Sequence, residues 1–389
     1  MTFVDLCPET KQAHGAADCS LALYVHWPFC VSKCPYCDFN SHVRADVDQG
    51  EWRDALLADL AHEARLTGGR TLSSIFFGGG TPSLMPPATV ASVIEAATRA
   101  WDAAPDLEVT LEANPSSVEA ANFRDLAAAG VNRVSLGLQA LDDDALRFLG
   151  RAHGVAEGLG ALEVAQACFP RVSFDLITAR PGQGLAAWNA ELTRALSFGT
   201  EHLSLYQLTI EAGTRFATLA AKGALSEMDA DEAADLLLLT RERTAAAGLP
   251  AYEVSNHARP GAESRHNLQY WRGGDYVGIG PGAHGRRTGT RTERHKKPEN
   301  YLRAVARNGH GLQEEAPVPP AERTTEMLLM GLRLVEGVPV SRLPDPTVVA
   351  WARADALRAG GLLTPDPDRL QATAQGSLLL DAILSELLA

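Results

Sequence analysis

Three closely spaced cysteines are the residues of this chain most suited to chemistry. Cys30, Cys34 and Cys37 are separated by three and then two residues, directly after an apolar run. Three thiolates can hold three corners of a four-iron cluster and leave the fourth iron open. An open coordination position is typical of a reactive metal centre, whereas structural sites are closed. A zinc loop completed by His26 or His42 is the alternative that these residues leave open.

Other polar residues that could bind a ligand follow later apolar runs. The glycine-rich segment 78–82 lets a backbone approach a ligand closely, although an ordinary tight turn has the same composition. Glu112 could accept a hydrogen bond from a ribose hydroxyl or face solvent at a strand end. Arg151 could pair with a carboxylate or be an ordinary charge at a helix end. Asp175 lies among apolar residues, where an unpartnered carboxylate is costly.

Alternating strands and helices are predicted to position these residues. Six short apolar runs are each followed by an amphipathic segment, which predicts an α/β fold with parallel strands and right-handed crossovers. Six such units can curl into a partial (β/α)6 barrel, where functional residues gather at the C-terminal strand ends. The predicted strands are residues 21–25, 74–77, 107–111, 133–138, 172–177 and 202–208, and the predicted helices are 51–66, 89–101, 119–129, 155–167, 185–196 and 230–247.

The candidate residues fall at those strand ends one after another. The first four predicted strands are followed, in order, by the three cysteines, the glycine-rich segment, Glu112 and Gln139, whereas Asp175 and Gln207 lie near the ends of the fifth and sixth. This agreement between motif and topology supports one shared site more strongly than any single motif does.

The pattern changes after residue 248. Residues 252–285 are rich in Gly, Asn, His and aromatic residues, a proline-rich break follows at 316–320, and helices are predicted at 324–335, 346–359 and 377–388. The last part has the size of a small winged-helix-like module. We therefore expect an N-terminal leader at 1–20, a partial barrel at 21–248, a connecting region at 249–320 and a helical C-terminal domain at 321–389.

The composition excludes several classes of function. The 389 residues carry a formal net charge of −13, which disfavours sequence-independent nucleic-acid binding. No apolar run approaches the roughly 20 residues of a transmembrane helix. The N-terminal residues lack a basic and then apolar signal segment, so we expect a cytoplasmic protein.

Together these motifs resemble the radical S-adenosylmethionine (SAM) superfamily, over nearly the whole chain from residue 21 onward. More narrowly they resemble the oxygen-independent coproporphyrinogen III oxidase-like family, which includes a heme-chaperone branch. The resemblance implies a radical SAM partial barrel with a [4Fe-4S] cluster on Cys30, Cys34 and Cys37. It also implies that SAM chelates the open iron through its amino and carboxylate groups, on a scaffold capable of cleaving SAM.

The resemblance also assigns residues to SAM. Tyr24, Gly79 and Glu112 correspond to contacts of the SAM on the cluster. Whether this chain binds a second SAM stays open. The positions that contact a second SAM in the oxidase correspond to Tyr36, Gly80, Thr81, Gln139, Arg151, Asp175 and Gln207.

Two departures from the oxidase pattern favour the heme-chaperone branch. The oxidase has a fourth cysteine two residues after the third, where this chain has Phe39, and it has a longer extension before the first strand. The string H-N-x-x-Y-W at residues 266–271, within the connecting region, resembles a signature of the heme-chaperone branch. Imidazole is a good heme ligand and aromatic rings can stack on a porphyrin, although a histidine beside aromatic residues is also common in protein cores. The implied heme candidates are His266, Asn267, Tyr270 and Trp271, with His26 and His284 as alternative ligands.

The resemblance implies a heme chaperone that binds heme and a SAM-associated [4Fe-4S] cluster and delivers heme to membrane respiratory proteins. The alternatives are oxidative decarboxylation of coproporphyrinogen III, which the missing fourth cysteine disfavours, and a radical SAM methyltransferase. Whether the chain is itself an enzyme stays open. The implied partners are an electron donor such as flavodoxin or ferredoxin, a membrane respiratory heme acceptor and a second copy of the chain, with any membrane association made through partners.

Overall fold

The computed structural model describes residues 19–44 and 46–388, so the predicted leader lies almost entirely outside the described residues. The strands are β1 Ser20–Trp27, β2 Phe29–Cys30, β3 His42–Val43, β4 Thr71–Gly79, β5 Asp102–Ala113, β6 Arg133–Gln139, β7 Arg171–Thr178, β8 His202–Gln207, β9 Asn256–Ala258, β10 Asp275–Ile279, β11 His284–Arg287, β12 Thr290–Arg294, β13 Leu312–Pro317, β14 Val338–Pro339 and β15 Arg369–Leu370. The helices are α1 Gln49–Leu66, α2 Pro87–Ala100, α3 Ser117–Ala128, α4 Asp143–Phe148, α5 Val155–Cys168, α6 Leu185–Leu196, α7 Arg215–Ala221, α8 Ala230–Ala246, α9 Arg265–Trp271, α10 Pro298–Asn308, α11 Pro320–Gly331, α12 Trp351–Ala359 and α13 Leu380–Leu387.

The chain divides into two compact units, each built from several chain segments. The first unit comprises the described residues up to 177 together with 208–227 and 275–316, and the second comprises 178–207, 228–274 and 317–388. The predicted domains are continuous stretches of chain, so their boundaries remain a prediction.

A mostly parallel sheet forms the centre of the first unit. Its strand order is β13–β12–β11–β10–β1–β4–β5–β6–β7. The six strands from β10 to β7 pair in parallel, whereas β11 and β12 join antiparallel. Most residues of β1 are buried, as expected for a strand covered on both faces. The predicted α/β fold with parallel strands is confirmed, with observed strands that contain or closely match the predicted ones.

Two features of this sheet differ from the sequence prediction. β5 begins at Asp102, five residues before the predicted strand, because its first residues pair with the start of β4. β10 pairs in parallel with β1, although the region after residue 248 shows no strand period. Its five residues, Asp-Tyr-Val-Gly-Ile, are too few for a periodic signal, and the pairing depends on a distant strand.

A buried ionic network fastens α1 to the hairpin of β11 and β12. Arg294 pairs with both Asp59, at 3.3 Å, and Glu63, at 2.5 Å, and all three side chains are fully buried. Arg287 adds a 2.8 Å ion pair to Glu63, and the Tyr301 hydroxyl donates to Asp59 at 3.0 Å. Buried charges require such partners, and this network joins the hairpin to α1 within the first unit.

The second unit is mainly helical. β8 and β9 pair antiparallel, and β14 and β15 form a separate two-stranded ladder. Leu328, Leu332, Ala354, Ile383 and Leu387 belong to one apolar core that joins α11, α12 and α13. The predicted helical C-terminal module is confirmed, although α11 ends at Gly331, four residues before the predicted end. Among the described residues, no helix combines the length and the apolar composition needed to cross a membrane.

Candidate cluster and cofactor site

The cysteine loop is closed at its base by a short parallel pair. Cys30 ends β2, and β2 pairs with β3 so that Phe29 lies opposite His42. Within the loop the Cys37 amide donates to the Cys34 carbonyl at 3.2 Å. All three cysteines line one cavity of about 440 Å³. The loop therefore holds its thiols around a shared space rather than spreading them over the surface.

The same cavity brings together most of the candidate residues. Besides the cysteines it is lined by Tyr36, Gly79, Gly80, Thr81, Glu112, Gln139, Arg151 and Asp175. Gly79, Glu112, Gln139 and Asp175 lie near the C-terminal ends of the successive parallel strands β4 to β7, whereas Tyr36 belongs to the cysteine loop and Arg151 follows α4. The residues at these strand ends therefore border one shared cavity.

Two candidates do not line the cavity. Tyr24 points its hydroxyl at His26 Nδ1, 3.0 Å away, and stacks on Phe76. Gln207 belongs to the second unit, where its side-chain amide donates to the Ala233 carbonyl at 2.6 Å. Both residues already have partners of their own in this structure.

The donor set fits a cluster better than a single metal ion. Within residues 19–44 and 46–388, no three His, Cys, Asp or Glu side chains converge as they would around one ion. In a four-iron cluster each thiolate binds a different iron, so the sulfurs surround a space instead of meeting at a point. The His26 ring is buried and held between Tyr24 and the Asn40 carbonyl, at 2.9 Å, so it is poorly placed to complete a zinc site.

Two side chains approach the sulfurs from the cavity wall. Arg151 Nη1 lies 3.4 Å from Cys34 Sγ, and Thr81 Oγ1 lies 3.5 Å from Cys30 Sγ. Burial raises the pKa of the Cys30 thiol, whereas the hydrogen bond from Thr81 lowers it. Donors and cations at these positions favour the thiolate that iron requires.

Glu112 is the most perturbed carboxyl group of the cavity. Burial, and next the negative charge of Asp175, raise the pKa of Glu112 to about 8, while the Gly79 amide opposes the shift. That amide donates to Glu112 Oε2 at 3.2 Å. Asp175 itself accepts from the Ser135 hydroxyl at 3.1 Å. Glu112 therefore holds a proton at neutral pH unless a cationic ligand stabilises its ionised form.

The glycine-rich segment is needed for packing as well as for ligand access. A Cβ at Gly79, whose φ is +112°, would lie 2.5 Å from His26 Cε1. A Cβ at Gly80 would lie 2.7 Å from the Phe29 carbonyl oxygen. The segment thus passes directly beneath the residues that lead into the cysteine loop, where only glycine fits.

Asn114 is a cavity residue that the sequence analysis did not select. Its Oδ1 accepts from Arg151 Nη2 at 2.6 Å, and its Nδ2 donates to Thr81 Oγ1 at 3.1 Å. Asn114 thereby joins the two side chains that approach the sulfurs of Cys30 and Cys34. Its position two residues after Glu112, just past the end of β5, is the sequence feature that indicates a place at this site.

Gln139 has strained backbone geometry at the cavity. Its φ is +68°, which is rare for a residue with a side chain, and the pairing of β6 with β7 is irregular just before it. Such strain is concentrated at functional sites, because the surrounding structure must be built to hold it.

The heme candidates all lie on α9 in the second unit. His266 and Tyr270 are one turn apart, and the Tyr270 hydroxyl lies 2.9 Å from His266 Nε2. His266 is buried, and its Nε2 must lose this contact before that atom can bind iron. Asn267 and Trp271 occupy the adjacent face. Of the alternative ligands, His26 is buried with both ring nitrogens engaged, whereas His284 is exposed in the first unit.

Comparisons with known proteins agree with this geometry. The radical SAM superfamily matches residues 24–190, and the HemN C-terminal domain matches residues 318–379. The chain is similar to the mitochondrial radical S-adenosyl methionine domain-containing protein 1 of Bos taurus, with 41% identity over 94% of this chain and 87% of that protein. It is also similar to heme chaperone HemW of Haemophilus influenzae, with 37% identity over 94% of this chain and 97% of HemW.

A solved structure supports the fold. The chain matches the radical SAM enzyme coproporphyrinogen III oxidase (HemN) from Escherichia coli with a TM-score of 0.78, over 94% of this chain and 89% of that one, at 22% identity. The sequence similarity spans nearly the full length of the relatives named above. The chain therefore belongs to the radical SAM superfamily, in the family that includes heme chaperone HemW and the mitochondrial radical SAM domain-containing protein 1.

Proposed function

We propose that this protein is a heme chaperone that carries a SAM-associated [4Fe-4S] cluster and passes heme to membrane respiratory proteins. The observation that carries the proposal is the similarity to heme chaperone HemW over 97% of HemW's length. The α9 helix supports it by grouping an imidazole and two aromatic rings within seven residues. Imidazole binds heme iron, and aromatic faces pack against a porphyrin.

The first unit supplies the proposed cluster and SAM site. Cys30, Cys34 and Cys37 would hold three irons of the cluster, and the open iron would take SAM. When bound, this pair of groups supplies one-electron reductive chemistry at the SAM sulfonium. The chain's own residues would position the cluster and SAM and shield them from water. Gly79 lets a ligand approach the backbone closely, and Arg151 places a positive charge beside the sulfur of Cys34.

Glu112 is proposed to accept a hydrogen bond from SAM in this cavity. A positively charged ligand favours its ionised form, so SAM binding would release the proton that Glu112 holds in the free cavity. The second-SAM candidates Tyr36, Gly80, Thr81, Gln139, Arg151 and Asp175 line the same cavity, and a second SAM there remains part of the proposal. Gln207 stays a weaker candidate because its amide already binds a backbone carbonyl.

The proposed partners follow from this role. A flavodoxin or ferredoxin would reduce the cluster, and a membrane respiratory protein would accept the heme. The protein would work in the cytoplasm and meet the membrane through its acceptor, and a homodimer would be its assembly state.

A heme-transfer assay tests the proposal. Heme-loaded protein is mixed with membrane vesicles that contain a heme-free respiratory cytochrome, and the cytochrome spectrum is followed over time. We expect heme to reach the cytochrome faster than it is released spontaneously into buffer that contains apomyoglobin as a heme trap. Transfer no faster than that release would contradict a chaperone role.

The choice of iron ligand is tested separately. His266→Ala should weaken heme binding by about tenfold or more and shift the Soret band, because an axial nitrogen ligand is lost. His284→Ala serves as the matched comparison in the first unit. An unchanged spectrum for His266→Ala together with a changed one for His284→Ala would move the heme site to the first unit.

A further inference from the structure

A guanidinium group from another part of the chain stacks on the indole face of Trp271, the last residue of α9. Arg333 Cζ, from the turn after α11, lies 4.7 Å from the Trp271 ring centroid. Guanidinium groups are attracted to the negative face of an aromatic ring, and tryptophan gives the strongest such contact. Arg333 is therefore held beside the helix that carries the heme candidates.

A buried carboxylate holds this guanidinium from a second direction. Glu253 Oε2 lies 3.2 Å from Arg333 Nη2, and the Glu253 side chain is fully buried. Its other oxygen accepts from the Ser255 amide at 2.9 Å and from Asn256 Nδ2 at 2.6 Å. Glu253 is thus fixed in place, while the Arg333 side chain keeps 35% of its surface exposed. A ligand can reach Arg333 without unfolding the unit.

The local charge leaves room for another anion. Arg241 is a second guanidinium close to Glu253: burial lowers the pKa of Arg241, and the charge of Glu253 opposes that shift. Arg241 Nη1 donates to the Ser377 hydroxyl, which is neutral. Two guanidinium groups thus lie near one carboxylate, which is ion-paired with Arg333, so an added carboxylate would find favourable electrostatics here.

Two donors of the stacked pair Arg333 and Trp271 have no acceptor. Arg333 Nε and Trp271 Nε1 are both shielded from solvent and make no hydrogen bond within the part of the chain that the structure describes. A buried donor without an acceptor is costly, and native proteins keep few of them without a reason. Both belong to the same stacked pair, so one ligand with two acceptor oxygens could satisfy them together after a small side-chain adjustment.

We propose that Arg333 and Trp271 form a carboxylate seat that takes one propionate of heme. The inference rests on the proposed function, in which α9 binds heme, and adds the residues that anchor its acidic edge. A propionate presents two oxygens, and the planar fork of arginine binds such a group better than the point charge of lysine does. The stack on Trp271 and the ion pair to Glu253 preorganise that fork before heme arrives.

The test compares two ligands that differ only at the propionates. Full-length, anaerobically prepared protein is titrated with ferric heme and with ferric heme dimethyl ester, and the Kd is read from the Soret band. We expect the wild type to bind the ester about tenfold more weakly, because the ester has lost the charge-assisted hydrogen bonds. Arg333→Gln should weaken heme binding by about the same factor, whereas its binding of the ester should weaken little further.

Control variants separate this anchor from a general charge effect. Arg333→Lys keeps the charge without the fork and should recover only part of the loss. Arg353→Gln removes an exposed arginine of the same unit, whose pair with Glu386 is 3.4 Å long, and should leave both Kd values unchanged. Trp271→Phe keeps a stacking ring but removes the Nε1 donor. It should also reduce the difference between the Kd values for heme and its ester.

Each result has a defined meaning. Equal wild-type affinity for heme and its ester would overturn the carboxylate seat while leaving heme binding intact. An Arg333→Gln variant that still discriminates heme from ester as the wild type does would overturn the role of Arg333. Wild-type protein that binds neither ligand saturably would overturn both the proposed function and this inference. If Arg333→Gln fails to fold, Trp271→Phe decides, because a Trp271→Phe variant that discriminates heme from its ester as the wild type does would overturn the seat.

Discussion

The guanidinium of Arg151 lies 3.4 Å from the sulfur of Cys34 and is held there by a 2.6 Å hydrogen bond to the side chain of Asn114. Reduction adds negative charge to an iron–sulfur cluster, so a fixed cation beside a ligand sulfur favours the reduced form. The proposed cluster would therefore have its potential set partly by residues that bind no iron.

Arg151→Met should lower the reduction potential of the reconstituted cluster by an amount on the order of tens of millivolts, because the neighbouring positive charge is lost. The measurement is a redox titration followed by electron paramagnetic resonance. Arg147→Met is the matched control, since Arg147 is an exposed residue of α4 with a surface partner. Equal potentials in the wild type and Arg151→Met would show that Arg151 does not act on the cluster.

Cys34→Ala should abolish stable loading of iron and sulfide, because the loop would keep only two thiols for the cluster. Cys168→Ala is the control: Cys168 ends α5 and lines a different surface groove. Iron and acid-labile sulfide are counted per chain after anaerobic reconstitution. Full loading of the Cys34→Ala protein would remove the cysteine loop as the cluster site.

Glu112 predicts a specific pH dependence of stability in the ligand-free protein. Its folded-state pKa is about 8, well above the ordinary value of 4.5, so the folded chain keeps a proton that the unfolded chain releases between these values. The contribution of Glu112 to the free energy of unfolding is therefore greatest below pH 4.5. It falls as the pH rises towards 8 and changes no further above that pH.

Glu112→Gln should remove this loss and raise the unfolding free energy at pH 8.5 by on the order of 2–4 kcal/mol relative to the wild type, with little change at pH 4.5. Urea unfolding of the apo protein at the two pH values measures the difference. The same variant should bind SAM more weakly, since it cannot carry the negative charge. Glu95→Gln, at an exposed surface pair, should show neither effect.

The ionic network of the first unit predicts a large loss of stability on substitution. Arg294→Gln leaves Asp59 buried without its cation and leaves Glu63 with Arg287 alone, and should cost about 3–5 kcal/mol. Arg291→Gln, which breaks a half-exposed pair with Glu314, should cost less than about 1 kcal/mol. Chemical denaturation reports both values, and similar small losses for the two variants would contradict the structural role of the network.

The sequence predicts the strand–helix repeat well because local periodicity encodes it. The cavity follows from the rule that residues after parallel strands meet at one edge, which places Cys30, Glu112 and Asp175 together. Asn114 was missed because its role lies in hydrogen bonds to Thr81 and Arg151, which are distant in sequence.

Other features of the structure depend on partners that no local pattern identifies. β10 is a strand because β1 pairs with it, and its own five residues carry no period. Arg333 reads as an ordinary helix-end charge until the fold stacks it on Trp271, 62 positions earlier in the chain. Tyr24 and Gln207 were placed at the SAM site by resemblance, whereas in the structure their polar groups bind His26 and the Ala233 carbonyl.

Heme binding is tested most directly by a heme titration of the anaerobically reconstituted protein, with and without SAM, followed at the Soret band. We predict a saturable band with one heme per chain, in protein whose iron and sulfide content corresponds to one four-iron cluster. A Soret signal that rises without saturation, as for heme in buffer alone, would contradict the proposal that this radical SAM protein is a heme chaperone.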